Sequence, residues 1–211
     1  MAEFAKELHI GRGVTAIIGS GGKTTLMYTL SRELSRLGSV IVTTTTHIWK
    51  PEHLPVTQQL RKAEGIVCVG TPCSNGKLSA PKQTMQELAQ LADFVLVEAD
   101  GSAGKPLKAH AEHEPVIPGN AGQVICVVGA SGLNFPAQQS VHRPEIFSKL
   151  TNSDIATVTA VADALKAEHL FDRLVINQCD TQEAAARELA AKMNCPLLLT
   201  NLIKGEILCA Y

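Results

Sequence analysis

Short runs of apolar, mostly β-branched residues alternate along the chain with longer segments of helical spacing. Strands are predicted at residues 14–18, 40–43, 65–69, 94–98, 124–128, 174–177 and 196–199, and helices at residues 23–37, 83–91, 153–168 and 181–193. In the first helix leucines recur on one face as far as Leu37, and Gly38 is expected to end it. Strands that alternate with helices predict an α/β fold with a mostly parallel sheet and helices on both faces.

Two segments interrupt this alternation. Residues 65–69 are expected to form a hairpin with Lys77 and Leu78 across a Ser-Asn-Gly turn. Residues 100–122 form a long loop, rich in Gly, Pro and His, that starts where a central strand ends. Long loops in compact domains are usually functional, and open α/β sheets bind ligands at the carboxyl ends of their strands. The loop is therefore expected to contribute to a binding site within a single domain that spans residues 1–211.

A glycine-rich turn joins the first predicted strand to the first predicted helix. It reads Gly19, Ser20, Gly21, Gly22, Lys23, Thr24 and Thr25. Glycines let backbone amides converge on a phosphate, and the helix N-terminus adds partial positive charge. Lys23 is expected to face the β- and γ-phosphates rather than to be buried, and the Thr24 hydroxyl to bind Mg²⁺. The turn therefore predicts a P-loop NTPase-like three-layer sandwich that binds Mg²⁺ with ATP or GTP.

This phosphate loop is shorter than the full pattern, which would need a glycine where Ile17 stands. The shorter loop, G-x-x-G-K-T-T, resembles that of the Mur-type amide ligases. It is also similar to that of the dimerising metal-insertion and partitioning NTPases, although Ile18 stands where the partitioning branch has an extra lysine. A homodimer is thus one open interpretation.

Two carboxylates end the strand predicted at residues 94–98. Glu98 and Asp100 are two positions apart, so they should point the same way and hold Mg²⁺ together with Thr24. Lys23, Glu98 and Asp100 are the predicted catalytic residues. A run of threonines at residues 43–46 ends the neighbouring strand, and from it Thr45 is expected to be a further metal ligand.

Cations in and after the long loop are candidates for binding a second, anionic substrate. These are Lys105, Lys108, His142 and Arg143. The segment from His110 to Glu114 invites a metal site, but it lacks the H-E-x-x-H order and lies beside prolines. A solvated loop is the expectation there.

The strand predicted at residues 174–177 ends in Asn177, followed three residues later by Asp180. This resembles the N-K-x-D element with which GTPases recognise guanine, although Gln178 replaces the lysine. The element favours GTP slightly over ATP. Alternatively, Asp180 is the N-cap of the following helix.

Composition mainly excludes other classes of protein. The chain is 45 % hydrophobic and 18 % charged, which argues against disorder. A net charge of −1 gives no reason to expect nucleic acid or an anionic membrane as a partner. The N-terminus has no signal-peptide pattern, and Cys68, Cys126 and Cys179 lie in apolar runs where reduced, buried thiols are expected. A cytoplasmic location without disulfides follows as the expectation.

Four segments together resemble a known family. They are GSGGKTT from Gly19, VTTTTHIW from Val42, VEADGSAGKPLKAHAEHEPVIP from Val97 and VHRPEIF from Val141. They are similar to the YqeC-like family, accessory proteins for selenium-dependent molybdenum hydroxylases. The resemblance implies a nucleotide-dependent role in making or inserting a selenium-containing molybdenum cofactor, with the hydroxylase or a selenium-delivery protein as partner. Two alternatives stay open: an ATP-dependent small-molecule kinase or ligase, and a non-catalytic scaffold gated by nucleotide.

Overall fold

A computed structural model describes residues 3–211. The expectation that the N-terminus is not a signal peptide includes Met1 and Ala2, which lie outside the described residues. The helices of the described residues are α1 (Phe4–Glu7), α2 (Lys23–Leu34), α3 (Met85–Leu91), α4 (Ala137–Ser140), α5 (Pro144–Thr151), α6 (Val158–Glu168) and α7 (Glu183–Lys192). The strands are β1 (Gly13–Gly19), β2 (Val40–Thr44), β3 (His47–Trp49), β4 (Val56–Thr57), β5 (Ile66–Val69), β6 (Thr71–Pro72), β7 (Lys77–Ser79), β8 (Phe94–Glu98), β9 (Leu107–Lys108), β10 (Ala121–Gly129), β11 (Val141–His142), β12 (Arg173–Asn177), β13 (Leu197–Asn201) and β14 (Glu206–Ala210).

The central sheet has nine strands in the order β14-β13-β12-β10-β1-β8-β2-β5-β4. Every neighbouring pair in it is parallel except β13 and β14, which are antiparallel. Strand β1 is the middle strand, and crossovers on either side of it bring β8 and β10 to its two edges. The carboxyl ends of β1, β8, β10 and β12 therefore meet along one edge of the sheet.

Helices cover both faces of this sheet because neighbouring strand residues point to opposite sides. Ile17 packs with the leucines of α2 and with α1, whereas Ile18 packs with α5, α6 and α7. Helix α3 covers a third cluster beneath β2 and β8. The predicted α/β fold with a mostly parallel sheet flanked by helices is confirmed. Within the described residues, no helix combines the length and the apolar character needed to cross a bilayer.

Several predicted boundaries were wrong. Helix α2 ends at Leu34, so Leu37 does not belong to its buried face and is 67 % exposed. Residues 66–69 join the central sheet beside β2, and the hairpin partner of β7 is instead β6. Helix α6 begins at Val158 rather than Ser153, since the Thr157 hydroxyl caps it by accepting from the amide of Ala160.

Two small sheets lie outside the central one. Strands β3, β7 and β6 form a three-stranded antiparallel sheet, and β9 pairs with β11. The second pair ties the long loop to the segment that leads into α5. There Arg143 has a left-handed backbone, with φ of 68°, and Pro144 occupies the first position of the helix. Neither pairing was predicted.

Candidate functional site

The glycine-rich turn between β1 and α2 fits tightly against its surroundings. Gly19, Gly21 and Gly22 have φ of 90°, 81° and 138°, values that residues with a β-carbon rarely adopt. A β-carbon at Gly21 would also collide with the backbone of Gly129, and one at Gly22 with the Asn177 side chain. Backbone conformation and lack of space therefore both require glycine in this turn.

The long loop is seated against the same turn through Pro106. The amide of Gly129 donates to the Pro106 carbonyl at 2.8 Å, and the Ser20 hydroxyl donates to the Lys105 carbonyl. A β-carbon on Gly132 would lie 2.7 Å from Pro106 Cγ. We call this contact of three loops, which follow β1, β8 and β10, the Pro106 junction.

Lys23 is buried. This corrects the expectation that its charge is not buried. Its side chain is 3 % exposed, and Nζ donates to the Gly19 carbonyl at 2.6 Å and to Ser102 Oγ at 3.1 Å. The ammonium also stands 3.0 Å from Asp100 Oδ1 and 3.9 Å from Glu98 Oε1. The predicted grouping of Lys23 with the two strand-end carboxylates is present.

Glu98 and Thr24 meet at the mouth of the turn. The Thr24 hydroxyl donates to Glu98 Oε2 at 3.0 Å, and Glu98 lines the cleft described below. Burial raises the pKa of Glu98, and the Lys23 charge and the Thr24 hydrogen bond offset part of that rise. A hydroxyl and a carboxylate so arranged are oxygen ligands of the kind that Mg²⁺ takes from proteins.

Asp100 lies deeper, below the turn, and is fully buried. Its Oδ2 accepts a hydrogen bond from the amide of Gly19 at 2.8 Å and lies 2.8 Å from the ring nitrogen Nε2 of His110. Burial by itself would raise the pKa of Asp100, but the His110 hydrogen bond and the charges of Lys23 and Lys108 lower it to about 2. The carboxylate therefore stays charged, and its position makes it a partner of Lys23 rather than part of the cleft wall.

His110 joins Asp100 to helix α6, so the expectation of a solvated loop was wrong at this residue. Its Nδ1 lies 2.7 Å from Glu168 Oε2, and its own amide donates to Glu168 Oε1 at 2.7 Å. Burial opposes protonation of the ring, but the hydrogen bonds to Asp100 and Glu168 raise the pKa of His110. The ring is a buried bridge between two carboxylates.

Lys108 and Arg143 converge on Glu114 and not on the cleft. The Lys108 side chain is fully buried, with Nζ 2.6 Å from Glu114 Oε2 and 3.3 Å from Asp100 Oδ2. Arg143 Nη1 donates to the same Glu114 oxygen at 2.8 Å. The charges of both predicted substrate ligands are thus paired with Glu114. The expectation of a solvated loop was therefore wrong for Glu114 as well.

The remaining predicted ligands lie at the margin. Lys105 lines the cleft, but its Nζ donates to the carbonyls of Gln138 and Gln139 at the end of α4. His142 lies in β11, outside the cleft, where burial and then the Lys108 charge lower its pKa. The Thr45 hydroxyl donates to the Val116 carbonyl at 2.7 Å and does not line the cleft, which removes the geometric reason for taking it as a metal ligand.

Asn177 and Asp180 have separate positions. Asn177 is buried; its Nδ2 donates to the Gly21 carbonyl at 2.7 Å and its Oδ1 accepts the amide of Leu202 at 2.9 Å. Asp180 is exposed, 3.3 Å from Lys204 Nζ, and does not line the cleft, whereas Gln178 does. The N-cap of α7 is Gln182, so the alternative of Asp180 as its N-cap was wrong.

A cleft of about 760 Å³ opens above these groups, a size typical of small-molecule sites. Residues 21–25, Glu98 and residues 101–106 form its floor and one wall, and Ser131 and Gln178 close one end. His47, Trp49 and Lys77 line the opposite rim and were missed from the sequence. The only sequence signal there is that His47 and Trp49 flank the apolar Ile48 in a segment of three residues.

The cleft fits a metal-bound phosphate better than a metal held by protein alone. Among residues 3–211 no group of three or more His, Cys, Asp and Glu side chains is arranged around one metal position. Mg²⁺ commonly takes only one or two protein ligands and completes its shell with water and substrate phosphate.

The match to known proteins covers this site except for Gln178. The family model described as YqeC protein matches residues 15–145, which include the phosphate loop, the strand-end carboxylates and the long loop but not Asn177 or Asp180. A protein of Escherichia coli (strain K12), named Uncharacterized protein YqeC, is 34 % identical over 154 residues. That match covers 65 % of this chain and 60 % of the relative, so the chain spans about three fifths of the relative's length. The chain belongs to the YqeC family.

Proposed function

We propose that the protein binds a Mg²⁺-nucleoside triphosphate in the cleft and hydrolyses it or transfers its terminal phosphoryl group. The observation that supports this most is the cluster of Lys23, Thr24 and Glu98 where the glycine turn enters helix α2. Glycine amides, a helix N-terminus and a lysine are a recurrent combination for binding phosphate. Thr24 and Glu98 would hold the metal, which would bridge phosphate oxygens and neutralise developing charge.

Lys23 has the central role in this proposal. It is now paired with Asp100 and hydrogen-bonded to the Gly19 carbonyl. A bound triphosphate offers this ammonium new anionic partners a short movement away, and Asp100 remains paired with Lys108 and His110. Lys23 would orient and stabilise the terminal phosphate. The buried Asp100 carboxylate would hold the lysine in position before the nucleotide binds.

The base is expected at the end of the cleft beside Ser131 and Gln178. Both residues follow strands on the β10 and β12 side of the turn. The Ser131 hydroxyl donates to Gln178 Oε1, which leaves the Gln178 amide to read a base edge. The preference for guanine through Asp180 remains a prediction. The Asp180 carboxylate does not line the cleft, so it would have to reach the base from outside the wall.

An accessory role in maturing a selenium-containing molybdenum cofactor is the biological setting we propose, resting on the resemblance of the four segments to the YqeC-like family. A molybdenum hydroxylase or a selenium-delivery protein would then be the partner. A small-molecule kinase is the second candidate. It is favoured by the extension of the cleft past Glu98 to Trp49 and Lys77, beyond the metal-side groups.

The proposal is tested with Mg-GTP and Mg-ATP. Calorimetric titration should show binding of at least one of them that weakens when Mg²⁺ is removed, and phosphate release should depend on the protein. Thr24→Val removes the metal-side hydroxyl at nearly constant volume and should weaken binding only when Mg²⁺ is present. Thr71→Val, in β6 and away from the turn, serves as the matched control. No binding of either nucleotide would refute the proposal.

A further inference from the structure

One rim of the cleft is formed by an arm made of β3, β7 and β6. In β3 the side chains alternate, so that Ile48 is buried while His47 and Trp49 are exposed. Ile48 packs with Cys68 and Leu78 in a small core of its own. Because alternate residues of a strand share a face, His47 and Trp49 project together on the face opposite this core.

Trp49 contacts a neighbouring cation although it is exposed. It is directly opposite Lys77 in the antiparallel pair, and Lys77 Nζ lies 4.8 Å from the centre of its ring. Cross-strand and cation–π contacts of this kind orient an indole without burying it. Trp49 is still 67 % exposed, and it is the one tryptophan of the chain. An oriented, uncovered aromatic ring at the edge of a cleft is suited to stacking with a ligand.

The arm and the expected base position lie at opposite ends of the cleft. Strand β1 is the middle of the sheet; β12, which precedes Gln178, lies on one side, and β2, which precedes the arm, lies on the other. Glu98 ends β8, between β1 and β2. A triphosphate on the turn, with its base toward Gln178, would therefore direct its terminal phosphate toward Glu98 and the arm.

We propose that Trp49 and Lys77, with His47 beside them, form the subsite for a second substrate that is a planar aromatic or heteroaromatic anion. The ring of this compound stacks on Trp49 in place of the Lys77 ammonium, which shifts aside and pairs with the negative group of the compound. This inference rests on the proposed function, since it takes the glycine turn to hold the nucleotide. The arrangement puts the second substrate beside the terminal phosphate, as phosphoryl transfer requires.

The test uses quinoline-2-carboxylate as the probe, with saturating Mg-nucleotide present. Tryptophan fluorescence reports directly on the subsite because Trp49 is its single source. The probe should quench this fluorescence, whereas neutral quinoline-2-carboxamide and the saturated anion cyclohexanecarboxylate should bind much more weakly. By calorimetry, Trp49→Leu and Lys77→Met should each weaken probe binding about tenfold or more, the scale of stacking and close charge pairing. The exposed Lys82→Met is the matched control and should leave binding unchanged.

The outcomes separate this inference from the proposed function. If Mg-nucleotide binds but the probe does not, or if Trp49→Leu binds the probe as well as the wild type, the subsite is overturned and the nucleotide site stands. If nucleotide alone quenches Trp49 and Trp49→Leu loses nucleotide affinity, the arm holds the base, which overturns the subsite. If no nucleotide binds at all, the proposed function itself fails.

Discussion

His110 Nε2 lies 2.8 Å from Asp100 Oδ2, the same oxygen that accepts the amide hydrogen of Gly19. Because Glu168 contacts the other ring nitrogen of His110, a continuous chain of hydrogen bonds runs from helix α6 to the first residue of the phosphate loop. The loop is thus anchored from below by charges on an element distant in sequence.

Replacing His110 should destabilise the fold. His110→Ala leaves Asp100 and Glu168 buried without their shared partner, and breaking a buried charge pair costs roughly 3–5 kcal/mol. Urea unfolding measures the loss. The exposed His113→Ala is the control, with an expected change within about 0.5 kcal/mol. Equal stability of the two variants would contradict a structural role for the bridge.

The contribution of His110 should depend on pH in a defined direction. Its hydrogen bonds to Asp100 and Glu168 outweigh burial and raise its pKa in the folded protein above the unfolded value of about 6.5. The stabilisation is then fully present below about pH 6.5 and is lost as the pH rises through the folded pKa. The stability difference between wild type and His110→Ala should therefore shrink at alkaline pH. A difference that stays constant from acid to alkaline pH would exclude this linkage.

Lys23→Ala should abolish detectable binding of Mg-nucleotide. Because Lys23 is buried against Asp100, the variant should also unfold more easily, by roughly 1–3 kcal/mol, a cost limited by the remaining partners Lys108 and His110. Calorimetry and urea unfolding are measured side by side. The exposed Lys166→Ala is the control. Nucleotide affinity equal to that of the wild type in folded Lys23→Ala protein would rule out the phosphate role.

If Asp180 reads guanine, GTP should bind about tenfold more tightly than ATP, on the order of 1.4 kcal/mol. Asp180→Asn should erase that preference with little loss of ATP binding, whereas Glu183→Gln, nearby on α7, should keep it. Competition of the two nucleotides for one site gives the ratio. Equal affinities in the wild type would leave Asp180 as an exposed partner of Lys204.

Lys105 and Lys108 should behave differently when changed singly. Lys108→Met removes a fully buried ammonium that joins Asp100 to Glu114, so a loss of roughly 1–3 kcal/mol is expected, limited because Asp100 keeps Lys23 and Glu114 keeps Arg143. Lys105→Met removes hydrogen bonds near the surface and should cost only about 1 kcal/mol. Thermal or urea unfolding compares them directly. A Lys108→Met protein as stable as the wild type would show that its charge is not needed inside.

The sequence predicted what depends on local pattern. The sheet and its helices follow from hydrophobic periodicity, and the phosphate loop from a compact run of glycines beside Lys23. The bridge through His110 was not predictable in this way, because its partners Asp100 and Glu168 are 10 and 58 residues away along the chain. A histidine in a polar, proline-flanked loop has the same local pattern whether it is solvated or enclosed.

The rim of the cleft was missed for a related reason. Strand β3 has three residues, too few to establish an alternation, and its role depends on pairing with β7 nearly thirty residues later. The pairing of Lys108 and Arg143 with Glu114 was not expected, because charge alone does not reveal that one carboxylate accepts from both cations.

The Pro106 junction determines where the chain around the cleft has space for an added side chain. Around Gly21, Gly129 and Gly132 there is no room for one added methyl group. The junction below the cleft is therefore closely packed. At Gly101 and Gly104, by contrast, an added β-carbon meets nothing within 4 Å. Alanine should therefore be accepted at Gly101, where there is space and the backbone is not left-handed, whereas the same change at Gly21 should displace the phosphate loop from its neighbours.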